Sequence, residues 1–328
     1  MSLPFLPTTG VGSFPKPDYV VGSIGYLDNN SKRATQEFIR LQEALGIDVL
    51  VDGEFYRGDM VTDYVRALGF PLAGWTRSYD NRFWRKGIVD KPLERQGTIQ
   101  VEQFRYAQGL TKKPVKGMLT GPTTLANWNF DNYYREREAL VFAWAEIIRQ
   151  EAFDLEDSGA KYIQVDEPAI AERHWETDLF KEGLRIVTEG LRAYTITHVC
   201  YGDFPLVYSS LVDLPVDQID IELSSELDLG LERSHLLRMM KENPLTQYKD
   251  VAVGVIDVRP GVAVEDVDTI VRRIYTALEV LAPTDGALRR IWIGPDCGFR
   301  TTKDHHVAYL KNKVMVEGTK RVRESLEI

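Results

Sequence analysis

The chain has 328 residues, of which 44% are hydrophobic and 27% charged, with 49 acidic against 40 basic side chains, a formal net charge of −9 and two cysteines. These proportions belong to a globular protein able to bury a large core and exclude extended disorder. The acidic balance excludes a general nucleic-acid binder, no apolar run reaches a membrane span, and the first residues lack a basic-then-apolar leader, so a cytoplasmic protein with reduced thiols is expected.

Eight short β-rich runs, each stopping at a polar residue or glycine, follow one another along the chain. They are Thr9 to Ser13, Val49 to Glu54, Val115 to Gly121, Tyr162 to Asp166, Tyr194 to Cys200, Gln218 to Glu222, Val251 to Asp257 and Ile291 to Cys297. Amphipathic stretches lie between them. After Asn30 and Ser31, the residues Ala34, Phe38, Leu41 and Leu45 recur at helical spacing, with Gly46 as the stop. Tyr133 to Asp157 reads as a long helix with Leu140, Trp144, Ile147 and Ile148 on its apolar side, closed by Gly159. Val267, Ile270, Val271, Ile274, Leu278 and Leu281 draw a third stripe. Strand–helix alternation implies parallel pairing through right-handed crossovers, and eight units predict an α/β fold, a single (β/α)8 TIM barrel over residues 1–328. One segment breaks the rhythm. Gly69 to Leu110 carries Trp75, Tyr79, Phe83 and Trp84 among charges, and is read as an extended insertion after the second strand. It is either a hairpin over the barrel mouth or a surface arm that buries its own aromatics.

Such barrels build their sites where the strands end. Here the ends hold Ser13, Glu54, Thr120, Asp166, His198 with Cys200, Glu222, Asp257 and Cys297, a set unlike the Val, Ile and Leu that fill barrel interiors. Side chains two apart on a strand share a face, so His198 and Cys200 can grip one ion. Cys297 and Glu222 complete a four-ligand set, although Asp220 shares the face of Glu222 and only one of that pair need reach the ion. Sulfur, imidazole and carboxylate suit Zn²⁺. Two thiolates and a carboxylate leave the ion electron-rich, better suited to activating a substrate thiol for attack on an alkyl carbon than to polarising a carbonyl. Glu54 and Asp166 can clamp an ammonium group, and the backbone at Gly12 and Ser13 can bind a carboxylate, so a thiol amino acid fits. The plainer readings are an ion pair of Glu54 with Arg57 or a nearby lysine, and a helix cap by Asp166 ahead of Pro168. His174, His235, His305 and His306 stand in helical or loop text and are expected to be exposed or capping.

Several strings resemble the C-terminal catalytic barrel of cobalamin-independent methionine synthase. These are Gly10 to Pro15, Asp52-Gly53-Glu54 with Asp59-Met60-Val61, Lys113 to Pro122, Val165 to Ala169, His198-Val199-Cys200 and Pro295 to Gly298, in order to about residue 302. The resemblance implies zinc on His198, Cys200, Glu222 and Cys297, homocysteine held by Val11, Gly12, Ser13, Glu54 and Asp166, and methyl transfer giving methionine. It also implies that Trp128 faces the methyl donor. Two departures fall on the donor side. Full-length members carry a second, N-terminal barrel, and a family histidine that protonates the leaving folate nitrogen is replaced by Arg259, in the string that includes Asp257. A guanidinium is a poor proton donor. The expected donor is therefore a methylcorrinoid, free or protein-bound, in preference to methylfolate. The rival expectations are alkyl transfer to another thiol such as coenzyme M, and a non-catalytic zinc or thiol-binding barrel.

Overall fold

The computed structural model describes residues 3–20, 27–77, 83–302 and 304–327; Tyr79 lies outside them. In chain order the strands are β1 (Leu72–Arg77), β2 (Phe83–Val89), β3 (Lys116–Thr120), β4 (Phe130–Asp131), β5 (Tyr162–Asp166), β6 (Tyr194–Val199), β7 (Gln218–Ile221), β8 (Asp250–Gly254) and β9 (Ile291–Gly294). Strands β3, β5, β6, β7, β8 and β9 form a parallel sheet in that order, each buried along most of its length.

The ring closes through two shorter segments. Thr8 bridges to Ile293, Thr9 to Val49, and Leu50 to Val115, all in parallel. The joints are backbone bonds: Thr9 N donates to Ile293 O at 3.0 Å, Val49 N to Thr8 O at 3.1 Å and Lys116 N to Leu50 O at 2.9 Å. Eight parallel positions thus surround one core, as the runs at Thr9 and Val49 predict, although the first two stay too brief to form extended ladders. The C-terminal helix His305–Ser325 locks this seam, because Arg323 donates to Phe5 O, Leu6 O and Asp48 Oδ2 at 2.7 to 2.8 Å.

Helix Asn29–Leu45 starts where Asp28 Oδ1 accepts from Ser31 N at 2.7 Å and stops at Gly46, whose φ of 90° only glycine adopts without strain. Its buried Gln42 clamps the second strand through Val51 N and Val51 O. Helix Arg137–Asp157 begins four residues later than its apolar pattern. Asp131 captures the N–H groups of Tyr133, Tyr134 and Arg135, and Arg135 turns to a φ of 62°, so a local side-chain turn wins over helix there.

The segment after the second strand resolves into two parts. Strands β1 and β2 form an antiparallel hairpin, and helix Val101–Gly109 follows as the ordinary barrel helix before β3, burying Val101, Phe104 and Ala107. The irregular part is thus shorter than Gly69 to Leu110. Buried Glu151 ties its return, accepting from Ile99 N and Gln100 N and pairing with Arg95. Among the described residues no helix is long and apolar enough to cross a membrane.

Candidate metal centre and substrate cleft

Strand register sets the centre. Asp166 of β5 pairs with His198 of β6, and His198 with Asp220 of β7. Beyond the end of β6 lies Cys200, and beyond β9 lies Cys297; their sulfurs are 3.5 Å apart. The ligand atoms of His198, Cys200 and Cys297 all lie within 4.8 Å of one another. His198 is buried, yet neither ring nitrogen has a hydrogen-bond partner. Two thiols and an orphaned imidazole converging in this way fit a thiophilic divalent metal.

The cluster also polarises its own groups. The Cys200 thiol is pushed up by its bond to Cys297 and by burial, while Cys297 is pulled down by the same bond. Burial opposes the charging of His198, and Asp220 overcomes it, with Nδ1 3.4 Å from Oδ1 of Asp220.

Glu222 stands beside this group and not within it. Its Oε2 accepts from Tyr201 N at 2.9 Å, and burial pushes its carboxyl up. Of the two acids on that face, Asp220 sits against the imidazole and Glu222 at the mouth. Asp296 gathers these loops: its Oδ1 accepts from Leu223 N and Ser224 N at 3.1 and 3.0 Å, joining the residues after Glu222 to the residue before Cys297. A Cβ on Gly254 would come 2.3 Å from that oxygen, so the approach requires glycine.

The substrate-side residues surround the same floor. A Cβ on Gly298 would lie 2.2 Å from Ser13 Oγ, and one on Gly12 would lie 2.5 Å from Glu54 Oε1. Gly12 therefore packs directly on Glu54 and Ser13 on the loop after Cys297, while Val11 is tied through its carbonyl to Gln164. Glu54 takes a φ of 53°, a strain typical of functional loops. Its Oε1 accepts from Arg57 Nη2 at 2.8 Å, and Arg57 is 1% exposed, so the ion pair foreseen as the plainer reading is present. Asp166 caps no helix. It accepts from Gln164 Nε2 at 2.7 Å, and Gln164 also holds Val11 O at 2.9 Å and Lys116 Nζ. Burial pushes Asp166 up to about 7. The capping role falls to Glu167, which accepts from Thr123 N and Thr124 N at 2.9 and 2.7 Å and so starts helix Pro122–Asn127.

Above the floor is a cleft of about 190 Å³ lined by Ser13, Glu54, Met60, Trp84, Trp128, Cys200 and Cys297, among others. Trp84 from the hairpin and Trp128 meet with ring centroids 5.4 Å apart at 39°. Asp257 is consumed by Arg259, whose Nε lies 3.0 and 2.9 Å from its two oxygens, and this pairing holds the Asp257 carboxyl down against burial. Lys116, Gln164 and Asp296 also shape the site, and the sequence assigned them no role of their own there, whereas Arg57 was foreseen as the partner of Glu54, Trp84 as part of a hairpin over the mouth and Asp220 as the alternative to Glu222. The signal for Lys116 and Gln164 was polarity inside apolar runs.

Such a site marks the class: a parallel eight-stranded barrel with a His-Cys-Cys centre at the C-terminal ends of its strands. Residues 6–320 match the model of the cobalamin-independent synthase catalytic domain, and the chain belongs to that family. A 5-methyltetrahydropteroyltriglutamate–homocysteine methyltransferase from Bacillus licheniformis is 36% identical over 99% of this chain and 44% of its own length. The chain thus spans less than half of that relative. A methionine synthase from Saccharolobus solfataricus is 33% identical over 99% of this chain and 97% of its own. Among solved structures, a B12-independent methionine synthase from Shewanella sp. W3-18-1, in complex with selenomethionine, superposes with a TM-score of 0.83 at 26% identity, covering 99% of both chains. The donor named for the Bacillus relative is a methylated pteroylglutamate, which runs against the methylcorrinoid expected from Arg259.

Proposed function

We propose that this protein methylates the thiol of homocysteine to give methionine, with Zn²⁺ held by His198, Cys200 and Cys297 and with Glu222 as the nearby oxygen donor. The observation that carries the reading is the coincidence, in one cleft, of the His-Cys-Cys cluster, the acids Glu54 and Asp166, and the Trp84–Trp128 wall. When bound, the ion lowers the pKa of a thiol that joins it, leaving a thiolate at neutral pH.

The protein's own groups do the rest. Ionised Asp166 and the Oε2 of Glu54 receive the substrate ammonium, and Arg57 fixes the other oxygen of Glu54 so that the carboxylate cannot swing away. Backbone at Gly12 and Ser13 takes the α-carboxylate. The aromatic wall supports a flat methyl donor with its methyl carbon toward the thiolate. The sulfur–carbon bond forms as the bond from the methyl carbon to the donor atom breaks, and the bonding pair leaves with the donor. The names of the relatives and the aromatic wall favour a methylated tetrahydropteridine, whose leaving nitrogen then takes a proton.

A second reading, a methylcorrinoid donor, rests on Arg259. It is clamped to Asp257 at the position where the family's proton-donating histidine is expected, and a cobalt leaving group needs no proton. Zinc-loaded protein given homocysteine and either 5-methyltetrahydrofolate or methylcobalamin decides between them. Faster methionine formation from the folate supports the first reading, and the reverse supports the second. No methionine from either refutes both.

A further inference from the structure

We propose that Trp84, carried to the cleft by the β1–β2 hairpin, is a specificity-determining residue for the methyl donor, and that Asn129 is the positioning residue that sets it against Trp128. The identity of the ligand rests on the methyltransferase reading above; the placement of the two indoles does not.

Two anchors follow Trp84 on its own strand. Thr62 Oγ1 donates to Arg85 O at 3.1 Å, and Gly87 N donates to Asn129 Oδ1 at 2.7 Å. Asn129 is buried, and its Nδ2 donates to Leu125 O at 2.7 Å, so the amide that grips the hairpin is itself fixed to the helix leading to Trp128. Past the anchors, β2 runs parallel to β4, with Ile88 opposite Phe130 and Val89 opposite Asp131. Gly87 has no room for a side chain, since a Cβ would sit 2.2 Å from Val65 Cγ1 and 2.9 Å from Asn129 Oδ1. The hairpin is therefore held in one place, and that place puts the Trp84 indole on the cleft.

Its neighbours differ from it. Trp75 on the same hairpin is 71% exposed and outside the cleft, and Phe83 lines the cleft while 63% exposed, whereas Trp84 lines it with both cysteines and packs on Trp128. The two rings, tilted 39° to each other, both present surface to the cleft. A planar heteroaromatic ring can stack on that wall, and a compact aliphatic amino acid gains nothing from it.

The test combines steady-state rates, with both substrates varied, and calorimetric titration of the zinc-loaded protein with 5-methyltetrahydrofolate. Trp84→Ala should raise the KM and Kd of the methylfolate about tenfold and leave the homocysteine KM within about twofold, while Trp84→Phe, which keeps a ring, should restore most of the affinity. Asn129→Ala should reproduce the Trp84→Ala pattern, and the double variant should be no worse than Trp84→Ala alone. An equal rise in both KM values, an unchanged donor affinity in Trp84→Ala, or no methylfolate binding by the unaltered protein overturns the inference. If no methionine forms but methylfolate binds and Trp84→Ala weakens it tenfold, the proposed activity fails and the role of Trp84 stands.

Discussion

His198 Nδ1 lies 3.4 Å from Asp220 Oδ1 on the neighbouring strand, and register, not chance, puts it there, since the two residues are paired across β6 and β7. Both side chains are buried, and neither carboxylate oxygen of Asp220 has a hydrogen-bond partner. A carboxylate behind a metal-binding imidazole fixes the ring and raises its basicity. Asp220→Asn should therefore lower Zn²⁺ affinity about 10- to 100-fold in competition with a chelator, while Cys297→Ser abolishes stoichiometric binding. An unchanged affinity in Asp220→Asn would refute the orienting role.

Burial pushes Asp166 up to about 7, so the carboxylate that receives an ammonium forms only as pH rises through that value. The homocysteine KM should fall between about pH 6 and pH 8, and Asp166→Asn should flatten the profile as well as raise KM. The same sign governs stability. Asp166, Glu167 and Asp296, all pushed up to about 7, hold protons in the folded state that the unfolded chain has released. Denaturant midpoints should decline as pH rises from the ordinary carboxylate range toward 7.

Arg57 supplies the charge that holds Glu54. Arg57→Met leaves a largely buried, unpaired carboxylate and should cost about 3–5 kcal/mol in urea unfolding. A double variant that also carries Glu54→Gln should recover part of that loss. Full additivity would show that the pair is not coupled.

Glu167 caps the short helix that leads to Trp128. Glu167→Ala strands the N–H groups of Thr123 and Thr124 and should cost about 1–3 kcal/mol, with Glu167→Gln, which keeps one acceptor, intermediate. Equal stability of the two variants would remove the capping role.

The barrel and the polar rim at its strand ends were legible in the sequence because parallel buried strands read as apolar runs with polar ends. Tyr162 to Asp166 matches its strand end to end, and the ends at Cys200 and Cys297 meet as foreseen. Interactions across the ring were not legible. Whether Asp220 or Glu222 faces His198 depends on β6–β7 register, and the hold of Gln164 on both Asp166 and Val11 O depends on a contact 153 residues apart. The helical stripe before Arg137 misled because Asp131 turns the chain locally, an effect that hydrophobic periodicity does not contain. The hairpin shows no period at all, and its placement depends on Thr62 and Asn129, 23 and 42 residues away from the strand positions they hold.

In the proposed function, the His198, Cys200 and Cys297 centre takes up homocysteine as a thiolate. Calorimetric titration of zinc-loaded and zinc-stripped protein with homocysteine at pH 7, in buffers of different ionisation enthalpy, measures both binding and proton release. Binding to the loaded protein should release about one proton more than the weaker binding to the stripped one, the share released by Asp166 being common to both. Equal binding with equal proton release by the two forms would rule out thiolate uptake at the centre.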